Sequence, residues 1–409
     1  MKHVNYLKIE GRSAGFYGLL ALLGALIAIG LGASLYMEHN GHWVTGMSNQ
    51  VIWGTPHVFA VFLIVAASGA LNVASIASVF GRQLYKPLSR LSGLLAIALL
   101  AGGLAVLVLD LGRPDRLIVA MTTYNFKSIF AWNIFLYTGF FVIVAAYLWV
   151  MFERRFNDYS KQACMAAFLW RLTLTTGTGS IFGFLVARDA YNSALFAPMF
   201  IIMSFAYGLA IFILVLMAAT RWTGRELGDV LMTRLKNLLG VFVASVLYFV
   251  VVYHLTNLYI TGKHDVERFI LLDGGAYTRL FWVGQMLIGG AIPLVLLFSK
   301  LGKSREMIAL ASALVVVGGI VQMYVTIIGG QVFPMPLFPG KEISSSFADG
   351  VVAHYAPSLP EILLGLGGVA LALGITVFAI KILPFLPQSL ADAQIDPHHE
   401  SAKKEAAAA

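Results

Sequence analysis

Charge is what this sequence has least of. Asp, Glu, Lys and Arg make up 12% of its 409 residues, against 59% hydrophobic ones, and the mean hydropathy is +0.82. A soluble domain of that balance would have no polar shell to keep it dissolved, so a soluble globular fold is excluded and an integral membrane protein expected. Cysteine is nearly missing as well. The single Cys164 excludes an internal disulfide and is too little for an iron–sulfur cluster or a structural zinc site; it reads as a small core residue. Histidine is scarce in the apolar runs, where only His57 and His254 fall. That argues against a dihaem cytochrome b, which needs four axial histidines, and leaves open one haem b with help from an outer-loop histidine. Nothing resembles a base-reading module, so no nucleic-acid partner is expected. The net charge of +8 reads as a topology signal and an attraction to anionic lipids.

Long apolar runs are what the chain has in abundance. They lie at about 13–37, 57–81, 91–110, 128–152, 162–187, 195–220, 236–260, 275–299, 305–330 and 359–383, and each suffices to cross a hydrocarbon core of roughly 30 Å as a helix. The expected fold is therefore an all-α integral membrane protein with ten transmembrane helices. Short connections suggest two antiparallel four-helix bundles, spans 2–5 (about 57–187) and 6–9 (about 195–330), flanked by spans 1 and 10 in one polytopic domain, 1–383. The polar start "MKHVNYLKIEGR" lacks a small-residue cleavage site, so the first span is expected to be retained. Residues 384–409 have lost the apolar pattern and read as a flexible tail, with His398 and His399 solvated.

Most Lys and Arg, among them Lys2, Lys8, Arg12, Arg82, Arg90, Arg154, Arg225 and Arg305, sit at the termini and in the even-numbered loops. Both termini are accordingly expected in the cytoplasm and the odd-numbered loops outside. The stretches "GHWVTGMSNQVIWGTPHVF" (41–59), "LDLGRPDRLIVAMTTYNFKS" (108–128) and "ARDAYNSALFAP" (187–198) then share the outer face, as do 261–275 and 331–358.

Ionisable groups in or at the rim of a membrane are candidate functional groups. On an ideal helix starting at His57, the residues Ser68, Asn72, Ser75 and Ser78 fall on one face. The serines also suit plain interhelical hydrogen bonding. His57 at the rim is either structural or able to hydrogen-bond a quinone carbonyl and exchange a proton near neutral pH. In "LDLGRPDR", Asp110 and Arg113 can pair across the turn that Pro114 enforces, or Asp110 can accept a proton from a quinol while Arg113 tunes its acidity. Arg188 and Asp189 end the fifth span on the same side, and Tyr124 offers a ring to pack on a flat ligand. Arg171, with Thr175 and Thr178 on the same helix face, is a candidate proton path from the cytoplasm; snorkelling of Arg171 with ordinary packing by the threonines is the alternative. Tyr253, His254, Asn257, Gln285 and Gln322 form a thinner polar set that reads as structural. His42 remains open between lining a pocket and touching a partner.

The combination "VIWGTPHVF", "LDLGRPDR" and "YNFKSIFAWN" resembles the NrfD/polysulfide reductase membrane-subunit family over nearly the whole chain. The fuller stretch "GHWVTGMSNQVIWGTPHVFAVFLIVAASGALNVAS" resembles its DsrP (HmeB-type) branch, from sulfite-reduction-associated transmembrane complexes. The resemblance implies a quinone-interacting subunit in a bacterial cytoplasmic membrane, without a redox centre or metal of its own. It also implies electron exchange between menaquinone or ubiquinone and a periplasmic ferredoxin-type iron–sulfur subunit. Further implied partners are a multihaem cytochrome c, a membrane cytochrome b and a cytoplasmic iron–sulfur subunit, in dissimilatory sulfur metabolism. Carried onto this chain, the quinone pocket would lie in the first bundle and take in His57, Asp110, Arg113 and Tyr124, with Asp110 or Asp189 exchanging the proton. A membrane anchor or an ion-translocating subunit without a quinone site is the alternative.

Overall fold

The computed structural model describes residues 4–335 and 350–395. Ten long helices carry it: α1 (Ala14–Asn40), α2 (Thr55–Ser78), α3 (Gln83–Leu109), α4 (Ile129–Phe152), α5 (Ser160–Gly183), α6 (Phe196–Thr223), α7 (Asp229–Tyr259), α8 (Ala276–Phe298), α9 (Arg305–Val332) and α10 (Leu359–Ile382). Among the described residues, nine of these are long and apolar enough to cross a membrane. The remaining one, α5, has 24 residues, but Arg171 and the run "TLTTGTGS" (173–180) dilute its apolar character. The chain is a multi-pass, all-α integral membrane protein.

Burial decides which helix is central. In α2, 89% of the apolar window is buried by protein, whereas in α1 the figure is 22%, so α1 faces lipid and α2 is surrounded. Helix α2 packs on α3, α5, α6 and α10; α4 packs on α3 and α5; α6 packs on α7 and α9; and α8 packs on α9. Spans 2–5 and 6–9 are thus two neighbouring groups, joined where α2 and α5 meet α6, with α1 laid on α10 outside. At the α2–α6 crossing Gly69 faces Gly208, and a Cβ on either would strike the other helix's backbone. Small residues let membrane helices approach this closely.

Three helices depart from regular winding. Helix α2 has a turn at Leu71 between Thr55–Ala70 and Asn72–Ser78, which interrupts the regular angular stripe expected from His57 to Ser78. Helix α8 is wound as a π-helix over Leu280–Ala291, and α9 over Val325–Gly329. Such segments leave the usual i→i−4 ladder and often mark functional sites.

One face of the molecule gathers both ends of the chain. Strand β1 (Tyr6–Leu7) pairs antiparallel with β2 (Leu386–Pro387), and the Arg225 guanidinium donates to the carbonyls of Leu386, Pro387 and Leu7. Arg90 donates to Pro384 and Met151 carbonyls and stacks over the Tyr6 ring at 4.0 Å. The flexible tail expected from residue 384 is therefore corrected for 384–395. Phe385, Leu386, Leu390 and Ile395 are buried, and the Asp392 carboxylate accepts from the first backbone N–H groups of α7. Isolated apolar anchors and arginine-satisfied carbonyls hold the segment without any periodic pattern. His398 and His399 lie outside the described residues.

Candidate functional site

The opposite face is built where the 41–54 connection enters α2. Pro56 sits in the first turn of α2, where its missing N–H removes no helical bond. Gly54 precedes it because a Cβ there would strike the Glu361 carboxylate. His57 is thereby fixed one turn into α2, and its ring stacks on Trp53 at 5.4 Å with 9° between planes. Trp53 also meets Phe182 edge-on and leans on Phe130.

Asp110 closes α3 as its C-terminal cap and points into this corner. Its side chain is 5% exposed and stands between two imidazoles: His42 Nε2 lies 3.9 Å from Oδ1 and His57 Nδ1 lies 3.9 Å from Oδ2. Both gaps are too long for a hydrogen bond. Asp110 Oδ1 and His42 Nε2 are buried without any hydrogen-bond partner among the described residues. Gly112, at φ +71°, turns the chain away from α3 directly against the His42 ring. A buried acceptor without a donor is costly. Here a ligand hydroxyl between the three groups would satisfy both, donating to Asp110 Oδ1 and accepting from a His42 Nε2–H.

Buried polar groups clamp the entrance loop. Gln331 Oε1 accepts from the Ile52 and Trp53 N–H groups at 3.0 Å each, and its Nε2 donates to the Trp53 carbonyl at 2.9 Å. Arg188 donates to the Gln331 and Gln50 carbonyls at 3.0 and 2.7 Å. Glu361, fully buried at the start of α10, accepts from the Gly46 and Ser358 N–H groups and from Tyr355 Oη. Tyr355 Oη in turn accepts from the Thr55 N–H at 2.7 Å.

Other residues singled out in the sequence lie elsewhere. The expected Asp110–Arg113 pair is not formed. Arg113 instead forks onto Asp115 at 2.8 and 2.9 Å, with both side chains well exposed, because Gly112 swings the turn outward. That contact holds the Asp115 carboxyl below the usual carboxylate range. Tyr124 packs on Phe135 at 4.5 Å and on Phe126 at 5.9 Å. Asp189 is half-buried and lies near Lys263. The Lys263 ammonium donates to the Tyr191 and Asn192 carbonyls; burial pushes it below the usual lysine range, opposed by Asp189 and Glu267.

Arg171 does not snorkel. It is 2% exposed, donates to the Ser68 carbonyl at 3.1 Å and to Asn72 Oδ1 at 2.7 Å, and lies between the Phe168 and Phe205 rings. Thr175 bonds the Arg171 carbonyl and Ser68 Oγ; Thr178 bonds the Leu174 carbonyl of its own helix. The polar stripe of α2 thus meets the Arg171 row of α5 at mid-span. In the second group, His254 Nδ1 lies 2.6 Å from Glu267 Oε2, Asn257 donates to Glu267 Oε1 at 2.7 Å, and Tyr253 donates to the Ala190 carbonyl.

Sequence reasoning missed the convergence of His42 on Asp110, the stacking of Trp53, and the roles of Gln331, Glu361 and Glu267. The two glutamates carried a usable signal, since an acidic side chain beside an apolar run asks for a partner.

A family model described as "Polysulphide reductase, NrfD" matches residues 43–335. The chain is 32% identical to the Hdr-like menaquinol oxidoreductase integral membrane subunit of Archaeoglobus fulgidus, over 94% of this chain and 97% of that one. It is 23% identical to a selenate reductase subunit from Mesobacillus selenatarsenatis, over 86% and 90%. It is also 24% identical to a polysulfide reductase chain from Wolinella succinogenes, over 70% and 96%. With the family model spanning most of the helical core and a relative aligned almost end to end, this chain belongs to the NrfD polysulphide reductase family of membrane proteins.

Proposed function

We propose that this chain is the quinone-interacting membrane subunit of a respiratory redox complex in a bacterial cytoplasmic membrane. It passes electrons between the quinone pool and a periplasmic iron–sulfur subunit in dissimilatory sulfur metabolism. The observation that carries this reading is the buried Asp110 carboxylate between His42 and His57, each 3.9 Å away, with unpartnered atoms on both Asp110 and His42. The names of the relatives, a menaquinol oxidoreductase subunit among them, support the same class of substrate.

In this reading the quinone headgroup is the substrate and the flat Trp53–His57 stack is one wall of its site. His57 and His42 supply polar atoms to the ring oxygens, and Asp110 takes the proton that a quinol hydroxyl gives up on oxidation. Electrons leave to the docked partner. The face opposite the paired termini is the outer one.

The test is a titration of the purified chain in lipid with a quinol analogue, paired with quinol-dependent reduction of the partner's clusters in the assembled complex. Asp110→Asn and His57→Ala weaken analogue binding at least tenfold, about 1.4 kcal/mol, and abolish cluster reduction without loss of assembly. Unchanged turnover in both variants would sink the assignment. An intact complex whose membrane subunit binds no analogue would make that subunit an anchor.

A further inference from the structure

The second helical group contains a polar site that the quinone reading does not use. Glu267 stands on the short helix His264–Arg268 that follows α7 and is 2% exposed. Its two oxygens are taken by His254 and Asn257 of α7, at 2.6 and 2.7 Å. Beside it lies a cavity of about 50 Å³ whose polar lining is Glu267, His254, Tyr253, Gln285, Gln322 and Thr326, the remaining walls being apolar. That volume holds about three to five waters at about 10–15 Å³ each and is several-fold too small for a quinone ring, since small-molecule pockets run from about 300 Å³.

A second observation gives the cavity a polar side chain without a protein partner. Gln285 is 8% exposed and lines the cavity, yet its carboxamide makes no hydrogen bond to any described residue. A buried amide with no protein partner is satisfied by water. Asn257 Oδ1 is likewise buried and unpartnered among the described residues. A smaller void shares Gln285 and Gln322 and runs deeper between α6, α7, α8 and α9. Three π-helical segments border these spaces: Ile270 comes from Phe269–Asp273, Phe281 and Gln285 from α8, and Val325 and Thr326 from α9.

We infer that this group holds a proton-binding site of its own, in which Glu267 and His254 share one proton and take up a second from water in the cavity that Gln285 faces. The short Nδ1–Oε2 contact requires a proton between the two atoms, which leaves Nε2 as the free acceptor. A hydronium in the cavity gives its proton to Nε2 and becomes water, and the pair passes from a net negative charge to an imidazolium–carboxylate ion pair. The other charged or titratable groups around the pair are Lys263, held on the Tyr191 and Asn192 carbonyls, Asp189 beyond it, and Tyr253, whose hydroxyl is engaged by Ala190. The polar side chains that α8 and α9 bring to the cavity, Gln285, Gln322 and Thr326, are all neutral. No residue of this cluster touches His42, His57 or Asp110.

The experiment uses the full chain with ¹⁵N-labelled histidine in lipid nanodiscs, without quinone, and follows the imidazole resonances with bulk pH and after transfer to D₂O. One resonance, absent in His254→Gln, responds to bulk pH, and its hydrogen-bonded Nδ1 proton is lost in Glu267→Gln. In Gln285→Leu, which keeps the pair but removes the polar group that water needs, exchange with D₂O slows at least tenfold. A His254 resonance indifferent to bulk pH overturns the inference, as does exchange equally fast in Gln285→Leu and the wild type. Because Gln285→Leu leaves the Glu267–His254 contact in place, the cavity is tested even where Glu267→Gln fails to accumulate. With no quinone present, the outcome is independent of the quinone reading.

Discussion

Gln331, at the end of α9, and Trp53, before α2, bond to each other in both directions: the Gln331 carboxamide oxygen accepts from the Trp53 N–H and its nitrogen donates to the Trp53 carbonyl. One side chain thus acts as a strand partner for an isolated residue and sets the indole on which His57 stacks. Gln331→Ala leaves two half-buried N–H groups and a carbonyl unpaired. We expect a loss of about 1–3 kcal/mol in stability, the usual penalty for such groups, read by thermal unfolding in detergent. In the assembled complex KM for quinol rises more than kcat falls.

The guanidinium of Arg171 depends on a single side-chain acceptor, Asn72, and has no carboxylate within ion-pair distance among the described residues. Asn72→Leu strands a charge in the interior and costs about 3–5 kcal/mol, as breaking a buried charge interaction does. Combining Asn72→Leu with Arg171→Met recovers part of that loss, because the charge leaves with its acceptor. Thermal unfolding of the two single variants and the double variant measures the recovery; strictly additive losses contradict it.

Arg113 and Asp115 form a bidentate pair in open solvent. Water and salt screen such pairs strongly, so Arg113→Ala leaves the unfolding temperature unchanged. Quinol-dependent turnover stays within about twofold, less than 0.5 kcal/mol in the barrier. A tenfold loss of turnover would return Arg113 to the quinone pocket.

Burial lowers the Lys263 ammonium below its ordinary 10.5, so folding favours its neutral form. At neutral pH the ammonium is charged in both states and the full burial cost is present. As pH rises through the lowered folded value towards 10.5, that cost is relieved and the wild type gains stability. Lys263→Met lacks this gain. The difference in unfolding temperature, wild type minus variant, therefore increases as pH rises towards the ordinary lysine value of 10.5.

The spans were legible because a membrane helix must satisfy its own backbone and show an apolar surface, and both demands leave long runs in the sequence. The fifth expected span, 162–187, became helix α5, which is long enough to cross but too polar to be counted among the nine apolar helices. His57 and Asp110 were legible as ionisable groups at a rim. What composition could not show was pairing at a distance. Arg113 lies three residues from Asp110, yet a single positive-φ glycine, Gly112, sends it outward, while His42, far away in sequence, comes to the carboxylate. Arg171 could not be placed either, since a guanidinium that snorkels and one that is buried on Asn72 follow the same helix position. The ordering of 384–395 escaped because its anchors are single apolar residues and backbone carbonyls held by Arg90 and Arg225, which leave no period to read.

The antiparallel pairing of Tyr6–Leu7 with Leu386–Pro387 sets the stretch before α1 directly against the stretch after α10, as Gln388 N–H to the Asn5 carbonyl shows at 2.8 Å. In effect the fold is a closed necklace of helices fastened by that short pairing. A short linker across that fastening, with new ends cut in the Lys300–Lys303 turn between α8 and α9, would give a circularly permuted protein with the same helix neighbours. Since α1 and α10 pack along each other, insertion in the native order leaves the first helix in lipid until the last one arrives to cover it.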